Sequence, residues 1–543
     1  MAKVYGIDLG TTYSCVASFD GEKVDIIHPQ NAVMGGVSVP SVIYYEKNTG
    51  KPVVGVSAKN ALGAPGEVSR IMTFTKRYMG QDNYPDKILI LNEERDISPV
   101  EGSACILHHL LSCANEEIKG NGETSTNKAV VTIPAGFTNK QRECTKLAAE
   151  LAGIEVLGLV HEPTAAAISY GIKSGETVLV FDLGGGTLDV SIVTNSRGNY
   201  RVIAAAGDYD VLKRNIGGKD WDDKLLELAI EQHEYKLGCI QNLPQETELW
   251  QLRNRVEECK INLSTMQEVQ IGFPDFTFER IKRNDFVRYT DNLVNDCLKV
   301  VKAALDKADK ESSNGAVRID RCVLAGGSSN MPEIKRRLSS YLAARIANGR
   351  SEDQWLHLAN PERAIAEGAA RYAYMLENNL ANSDGVLVSV EEKSSHSYGT
   401  KITDRVTKKE SIMNLILSTD PMIMDSKTFE FGVIEDGQEF VPVDLFENNS
   451  TGAYIPFDAE EIKPIYNRNY SFDSLSEVSK SKTRVFFNVS RDKDGIISIH
   501  VESRGHHSED HTISTVFPPI TDDVRNHIIK SIELMDCIPE DCK

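Results

Sequence analysis

Val178-Leu-Val-Phe-Asp182-Leu-Gly184-Gly185-Gly186-Thr187-Leu-Asp189-Val-Ser-Ile-Val193 is the stretch that decides how this chain folds. A β-branched apolar run enters a glycine-rich turn and leaves through a second run of alternating apolar residues, the pattern of a hairpin. The same shape occurs earlier, at Tyr5-Gly-Ile-Asp8-Leu-Gly10-Thr11-Thr12-Tyr13-Ser-Cys-Val16. Each copy carries an aspartate where its first strand meets the turn. A repeat so widely spaced predicts two related half-domains, each offering a hairpin loop to a shared cleft.

The loop residues point to phosphate. Consecutive glycines permit positive φ and let the backbone approach a ligand closely, and clustered N–H groups cradle anions. Thr11, Thr12 and Thr187 add hydroxyl donors. Asp8 and Asp182 conflict with a polyanion unless a cation intervenes; carboxylates beside phosphates hold Mg2+, directly or through its waters. One such turn is equally well read as an ordinary hairpin, but two matched copies favour the phosphate reading.

The chain has 543 residues, enough for several domains, and a net charge of −19. That charge argues against a broad nucleic-acid surface and against a polybasic membrane anchor. No apolar run approaches the roughly 20 residues of a membrane span. The ten cysteines lack paired metal spacing. Cys15, Cys259 and Cys322 read as small buried hydrophobes, and only Cys537 and Cys542 as available for redox chemistry. With a strand opening the sequence in place of a leader, a cytoplasmic setting is expected. His506, His507 and His511 fit a solvated loop better than a zinc site.

Outward from the two hairpins, strands are expected at Val4–Leu9, Tyr13–Phe19, Val24–His28, Ser41–Tyr45, Lys128–Pro134, Ile154–Leu159 and Arg201–Ala206. Helical spacing covers Pro99–Lys119, Leu249–Leu263, Asp285–Ala308 and Ala364–Tyr374. Thr138 with Gln141 three residues on forms a capping box. Strand and helix alternate, so this region is α/β. Gly217-Gly218 turns into a helix, and Gly326-Gly327-Ser328 is a strand-to-helix turn that can aim N–H groups at a ligand. Glu257, Lys260 and Ser264 share one helix face, a spacing that alone fits a solvated face. From about Lys393 the pattern turns all-β: Thr428–Val433, Phe440–Phe446, Arg484–Val489 and Ile496–Val501, the last two joined by Asp494-Gly495. Residues 447–482 read as loop or insertion, and Asp522–Leu534 as one short helix.

These motifs meet a known pattern. Gly6-Ile-Asp-Leu-Gly-Thr-Thr12, Thr132-Ile-Pro134-Ala, Glu162-Pro-Thr-Ala-Ala-Ala167, Phe181-Asp-Leu-Gly-Gly-Gly-Thr187 and Asn360-Pro361 resemble the 70-kDa heat-shock chaperones, the DnaK type, over nearly the whole chain. Several motifs recur in actin and sugar kinases; the C-terminal β region selects the chaperones. The resemblance implies an actin-like, two-lobed α/β ATPase domain, a duplicated ribonuclease H-like fold, over 1–382. It implies a linker at 383–391, a β-sandwich peptide-binding domain at 392–508, and a short tail at 509–543 with one helix, a truncated lid.

By motif match, Gly10, Thr11, Thr12, Tyr13, Gly184, Gly185, Gly186 and Thr187 would hold the phosphates of ATP or ADP, and Asp8 and Asp182 would hold Mg2+ through water. Lys76 would orient the attacking water, with Glu162 and Asp189 completing the catalytic set. Glu257, Lys260, Ser264, Gly326, Gly327 and Ser328 fall where the family binds adenosine, with Gly217 and Gly218 nearby. Ile412, Met413 and Val441 would line a peptide pocket, although ordinary sandwich core explains them nearly as well.

The implied activity is slow ATP hydrolysis that controls binding of extended apolar segments of unfolded polypeptides. A J-domain co-chaperone and a nucleotide-exchange factor are the implied partners, with no nucleic acid and no membrane. Pro134 and Arg142 match positions that couple the family's two domains. Three departures stand out. Ile261 and Asn330 replace two arginines of the family's adenosine site, which predicts weaker nucleotide affinity, and Asp208–Asn215 looks inserted. A sugar kinase, a filament-forming actin relative and a nucleotide-binding scaffold that hydrolyses little are the rival readings.

Overall fold

In the computed structural model the described residues are 3–536, apart from 30–31, 33–35, 65, 198, 238–245, 273–277, 313–314, 347–349, 359, 361–362, 381–389, 392–395, 405–406, 419, 421–423, 433–439, 460–461, 472–483, 493, 505–512 and 515–519. The expected linker therefore lies almost wholly outside them, as do Pro361, the three histidines of 506–511, Cys537 and Cys542.

The chain forms two compact units. The first comprises Met1–Ala135, Cys144–Val390 and Pro519–Lys543; the second comprises Gly136–Glu143 and Glu391–Pro518.

In the first unit two six-stranded sheets repeat one plan. One runs Glu155–His161, Lys128–Ile133, Val4–Asp8, Tyr13–Phe19, Val24–Ile26, with Val39–Pro40 paired to Tyr13–Phe19. The other runs Leu356–His357, Arg321–Ala325, Thr177–Leu183, Leu188–Ser196, Asn199–Gly207 and, at its edge, the two-residue strand Val390–Glu391, within which the first unit's stretch ends at Val390. In each, the strand leading into the glycine turn pairs antiparallel with the strand leaving it and parallel with a strand reached through a crossover. Asp8 stands opposite Cys15, and Asp182 opposite Asp189, beside the two turns. The hairpins are thus structural counterparts, as the sequence repeat predicts.

Small residues bring the helices Glu162–Ser169 and Ala364–Glu377 together. A Cβ on Gly368 would fall 1.7 Å from the Ala165 carbonyl oxygen, so no side chain fits there. Val178, Val180, Val323 and Ala369 share one buried cluster with Ala165, Ala166, Ala167 and Ile168. Leu179, Phe181, Leu188, Val190 and Trp221 lie in another, on the opposite face of the second sheet, because strand side chains alternate. Both faces are covered, which explains the near-continuous apolar run at 178–181.

The second unit is two sheets over one apolar core. Five strands run Tyr454–Pro456, Glu410–Ile416, Ser397–Thr403, Phe440–Asn448, Lys463–Ser471, and four run Met424–Gly432, Arg484–Arg491, Ile497–Arg504, Ile513–Ser514. Leu415, Val443 and Leu445 from the first sheet meet Phe487, Val489 and Ile499 from the second. Gly495 turns the 484–504 hairpin at φ 75°.

Several boundaries differ from expectation. Lys463–Ser471 is a nine-residue strand inside the stretch read as loop; its Asn467, Arg468 and Asn469 hide the apolar alternation. Asp285–Ala308 is two helices, Arg283–Tyr289 and Asp291–Glu311, broken at Thr290. The Thr290 hydroxyl donates to the Phe286 carbonyl, giving the backbone a local alternative to continued helix. The capping box holds: the Thr138 N–H donates to Gln141 Oε1 and the Gln141 N–H to Thr138 Oγ1.

Candidate functional site

The two glycine turns face one another across a cavity of about 620 Å3 within the first unit. A Cβ on Gly185 would fall 2.1 Å from Thr12 Oγ1, so glycine is required where the second turn meets the first. A Cβ on Gly217 would collide with the Gly186 backbone. The start of the helix Gly218–Leu237 donates its Gly218 and Lys219 N–H groups to the Gly184 and Gly185 carbonyls, tying the second turn down. The first turn is tied by Ser41, whose hydroxyl donates to the Gly10 carbonyl while its N–H donates to Thr12 O.

Behind the turns lies a buried acidic cluster with one lysine. Lys76, on the short turn Thr75–Tyr78, donates to Glu162 Oε1. Glu162 opens the helix Glu162–Ser169 at the end of the strand Glu155–His161. The Thr132 hydroxyl donates to Asp8 Oδ1 at 3.2 Å. Burial, then the Glu162 charge, raises the Asp8 carboxyl to about 7. Burial followed by Glu162 and Asp8 pushes Asp182 well above the carboxylate range, and burial followed by Glu162 and Asp208 does the same to Asp189. Burial pulls the Lys76 ammonium down, but Glu162, Asp8 and Asp182 outweigh it and leave it raised. Three buried carboxyls and the half-buried Asp8 against one ammonium make a site short of positive charge.

At the mouth, a tripod joins the two sides. Lys59 Nζ lies 2.7 Å from Glu257 Oε2 and donates to the Tyr13 hydroxyl at 2.8 Å, which in turn donates to Glu257 Oε1 at 3.0 Å. Lys260 Nζ donates to the Gly218 carbonyl and pairs with Asp222 Oδ1 at 2.8 Å.

Of the residues singled out in the sequence, Asp8, Gly10, Thr11, Thr12, Tyr13, Lys76, Glu162, Asp182, Gly184, Gly185, Thr187, Glu257, Lys260, Ser264, Gly326, Gly327 and Ser328 all line this one cavity. Gly186, Gly217 and Gly218 pack behind the turn instead, and Asp189 lies buried next to it. Ile261 lines the cavity with 59% of its surface exposed, and Asn330 lines it while donating to the Gly327 carbonyl.

Several contributors carry no motif. Lys59 and Asp222 are separated from their partners by long stretches of chain. Arg77 donates to the Gly186 carbonyl at 2.6 Å, and only its place beside Lys76 could have signalled it. Asp208 opens the segment read as an insertion, the short helix Asp208–Leu212. It accepts from the N–H groups of Leu188 and Ile216, fastening the exit of the second turn to the Gly217 corner.

In the second unit Ile412 is fully buried and Met413 half-buried on the strand Glu410–Ile416. Ile412 packs so close to Gly399 that a Cβ there would meet it at 2.5 Å. Val441 is on the strand Phe440–Asn448, and its side chain lies outside the described residues.

The profile of the family described as Hsp70 protein matches residues 4–534. The chain is 33% identical over 465 residues to chaperone protein DnaK of Mycoplasmopsis agalactiae, covering 82% of this chain and 69% of that one. It is 29% identical to chaperone protein DnaK of Mycoplasmoides gallisepticum (91% and 77% covered). It is 31% identical to chaperone protein dnaK of Gracilaria tenuistipitata var. liui (93% and 78% covered). Two matched glycine hairpins over an acidic cluster, joined in one chain to an all-β unit, are the arrangement that the family match describes. This chain belongs to the Hsp70 family, ATP-hydrolysing chaperones that work with ATP or ADP and Mg2+. Among the described residues no helix is long and apolar enough to cross a membrane.

Proposed function

We propose that this chain binds ATP between its two glycine turns, hydrolyses it slowly, and uses the nucleotide state to set how firmly its all-β unit holds extended apolar segments of unfolded polypeptides. The first unit is read as an actin-like ATPase domain over 1–382, with the linker and sandwich at 383–391 and 392–508. The carrying observation is the apposition of Gly185 and Thr12 above Asp8, Lys76, Glu162 and Asp182.

The site suits the ligand. Thr12 Oγ1 is buried without a hydrogen-bond partner where a phosphate oxygen would supply one. The raised Asp8 and Asp182 carboxyls are a surplus of negative charge that Mg2+ would neutralise. Among the described residues no set of three acidic, histidine or cysteine side chains is arranged to grip a metal alone. An ion there would be held by Asp8 and Asp182 through its waters, with the phosphates. Bound Mg2+ would offset charge on the phosphate oxygens. Phosphoryl transfer needs positioning and electrostatics more than covalent chemistry. Lys76 supplies a fixed cation on the γ-phosphate side and orients the attacking water; Glu162 holds Lys76 in place, and Thr187 and Asp189 complete the polar surround. Glu257, Lys260, Ser264 and Ser328 would hold the adenosine.

Peptide would bind through backbone hydrogen bonds and an apolar pocket, with Ile412, Met413 and Val441 as its lining. Coupling between the ligands is reciprocal. The implied partners are a J-domain co-chaperone and a nucleotide-exchange factor, and the implied location is the cytoplasm. Single-turnover ATP hydrolysis, with and without an unfolded peptide, tests the reading. Peptide should accelerate hydrolysis, and Lys76→Ala should abolish it. A Lys76→Ala chain that hydrolyses normally would sink the assignment.

A further inference from the structure

A second cavity, of about 330 Å3, opens on the first unit away from the glycine turns, and none of the described residues lines both cavities. Its floor is one face of the sheet that holds Tyr13–Phe19. Cys15, Ala17 and Phe19 turn to the opposite face, where they pack with Ala366 and Ala370, so alternation sends Ser18 toward the cavity. Tyr5 and Asp25 stand opposite Ser18 on the two neighbouring strands and share its face. The other wall is the end of the helix Pro99–Gly120, with Glu117, Ile118 and Asn121, and then Glu123.

Three carboxylates meet here, and they are not equally neutralised. Lys3 Nζ lies 3.2 Å from Asp25 Oδ2 and 2.7 Å from Glu123 Oε2, and Lys23 Nζ lies 2.5 Å from Asp25 Oδ1. Glu117 is left over. Its Oε2 accepts the His28 N–H at 2.7 Å, and its Oε1 faces the His28 ring from 4.0 Å. Among the described residues no lysine or arginine pairs with it. Its place in the last turn of a helix adds the negative end of the backbone dipole. Three carboxylates against two ammonium groups leave one negative charge, which calls for one positive charge.

Ser18 points to a ligand independently. It lines the cavity at 1% exposure, and its hydroxyl is buried without a hydrogen-bond partner. A buried hydroxyl is costly unless paired, so a polar group seated over Ser18 would be held there. Ile27 and Ile118, both buried, give the same cavity apolar wall. A bare metal ion suits these residues poorly. Among the described residues no three acidic, histidine or cysteine side chains are placed to grip one, and the Lys3 ammonium already stands between two of the acids. The volume is at the lower end of small-molecule pockets, room for a few carbons.

We propose that this cavity binds a small amino alcohol: its primary ammonium pairs with Glu117, its short carbon chain lies on Ile27 and Ile118, and its hydroxyl bonds to Ser18.

The test is titration of the full-length chain with propanolamine, read by calorimetry at low salt and repeated with saturating ADP. Propylamine, which lacks the hydroxyl, and propanol, which lacks the charge, are the matched probes, and tetramethylammonium is a cation that cannot donate. Propanolamine should bind at one site, with a Kd on the order of a millimolar for so small a molecule, and ADP should leave it in place. Propanol and tetramethylammonium should bind at least about tenfold more weakly. Glu117→Gln keeps an acceptor for the His28 N–H and should weaken propanolamine and propylamine alike, at least about tenfold. Ser18→Ala should weaken propanolamine about 3–10-fold and leave propylamine within about twofold, a difference that a general loss of structure would not produce. Absence of saturable binding overturns the proposal, as do displacement by ADP and parent affinity in Glu117→Gln. An equal response of the two amines to Ser18→Ala overturns it too, and so does tetramethylammonium binding as well as propanolamine, which would mark an adventitious counterion. Should Glu117→Gln not fold, the two amines on Ser18→Ala carry the test.

Discussion

Removing the Lys59 ammonium should open the mouth of the cleft. Lys59, on the helix Val56–Ala61, and Glu257, on the helix Glu246–Leu263, reach across the cavity at 2.7 Å, with Tyr13 bonded to both. Their side chains are 23% and 21% exposed, so the pair is screened less than a surface pair and more than a buried one. A hydrogen bond to a charged group contributes about 1.5–3 kcal/mol net, and an exposed ion pair about 0.2–1 kcal/mol. A value of about 1–2 kcal/mol sits between these. If bridging the mouth limits nucleotide escape, Lys59→Met should release ADP about 5–30-fold faster. Glu257 keeps Lys260 nearby, so its charge is not stranded. Stopped-flow displacement of a fluorescent ADP analogue reads the rate directly. Lys59→Met and Glu257→Gln should be non-additive, because each breaks the same bridge, and the effect should shrink in high salt. A release rate within twofold of the parent would refute the argument that this bridge closes the cleft.

Four further outcomes follow from the same geometry. Asp8 titrates near 7 in the fold against 3.8 ordinarily, chiefly through burial and Glu162, with Lys76 and Thr132 opposing; the folded nucleotide-free chain therefore binds that proton more tightly, and its stability should fall as pH rises from about 4 to about 7. Asp8→Asn should consequently melt a few degrees higher than the parent at pH 8 without nucleotide, while losing hydrolysis; an unchanged or lower Tm in calorimetry would contradict this. Gly185→Ala should lose most nucleotide binding in titration calorimetry, since its Cβ would fall 2.1 Å from Thr12 Oγ1; binding at parent strength would show that the turns move apart freely. Ile261→Arg should tighten ADP about 5–30-fold by placing a guanidinium against the base, worth about 1–2 kcal/mol, and no tightening would leave Ile261 irrelevant to affinity. Met413→Asp should weaken binding of an apolar fluorescent peptide without changing ATP affinity, and unchanged peptide binding would remove this strand from the pocket.

Much of the site is legible in the order of residues alone. The duplicated hairpin marks its own chemistry: glycines where backbones must approach, an aspartate at each strand end, threonines between. These are local requirements, set by residues close together in the chain, so composition and spacing display them. The capping box at Thr138 and the turn at Gly495 are readable for the same reason. The strand Lys463–Ser471 is hidden because polar residues interrupt its alternation, and its pairing with Phe440–Asn448 outweighs that weak pattern.

The sequence by itself determined the two matched glycine turns, the acids behind them, and the change from α/β to all-β near residue 393. Only the tertiary structure decided that Lys59 meets Glu257, that Arg77 and Asp208 fasten the second turn, and that Glu101 meets Ser531 of the helix Asp522–Asp536. Lys59 with Glu257, Arg77 with Gly186 and Glu101 with Ser531 are polar contacts between residues more than a hundred positions apart, and Asp208 closes its bonds to Leu188 and Ile216 around a turn. No periodicity announces such a pair, because its partners are chosen by the packing of apolar faces elsewhere, and that packing is settled only when the whole chain folds.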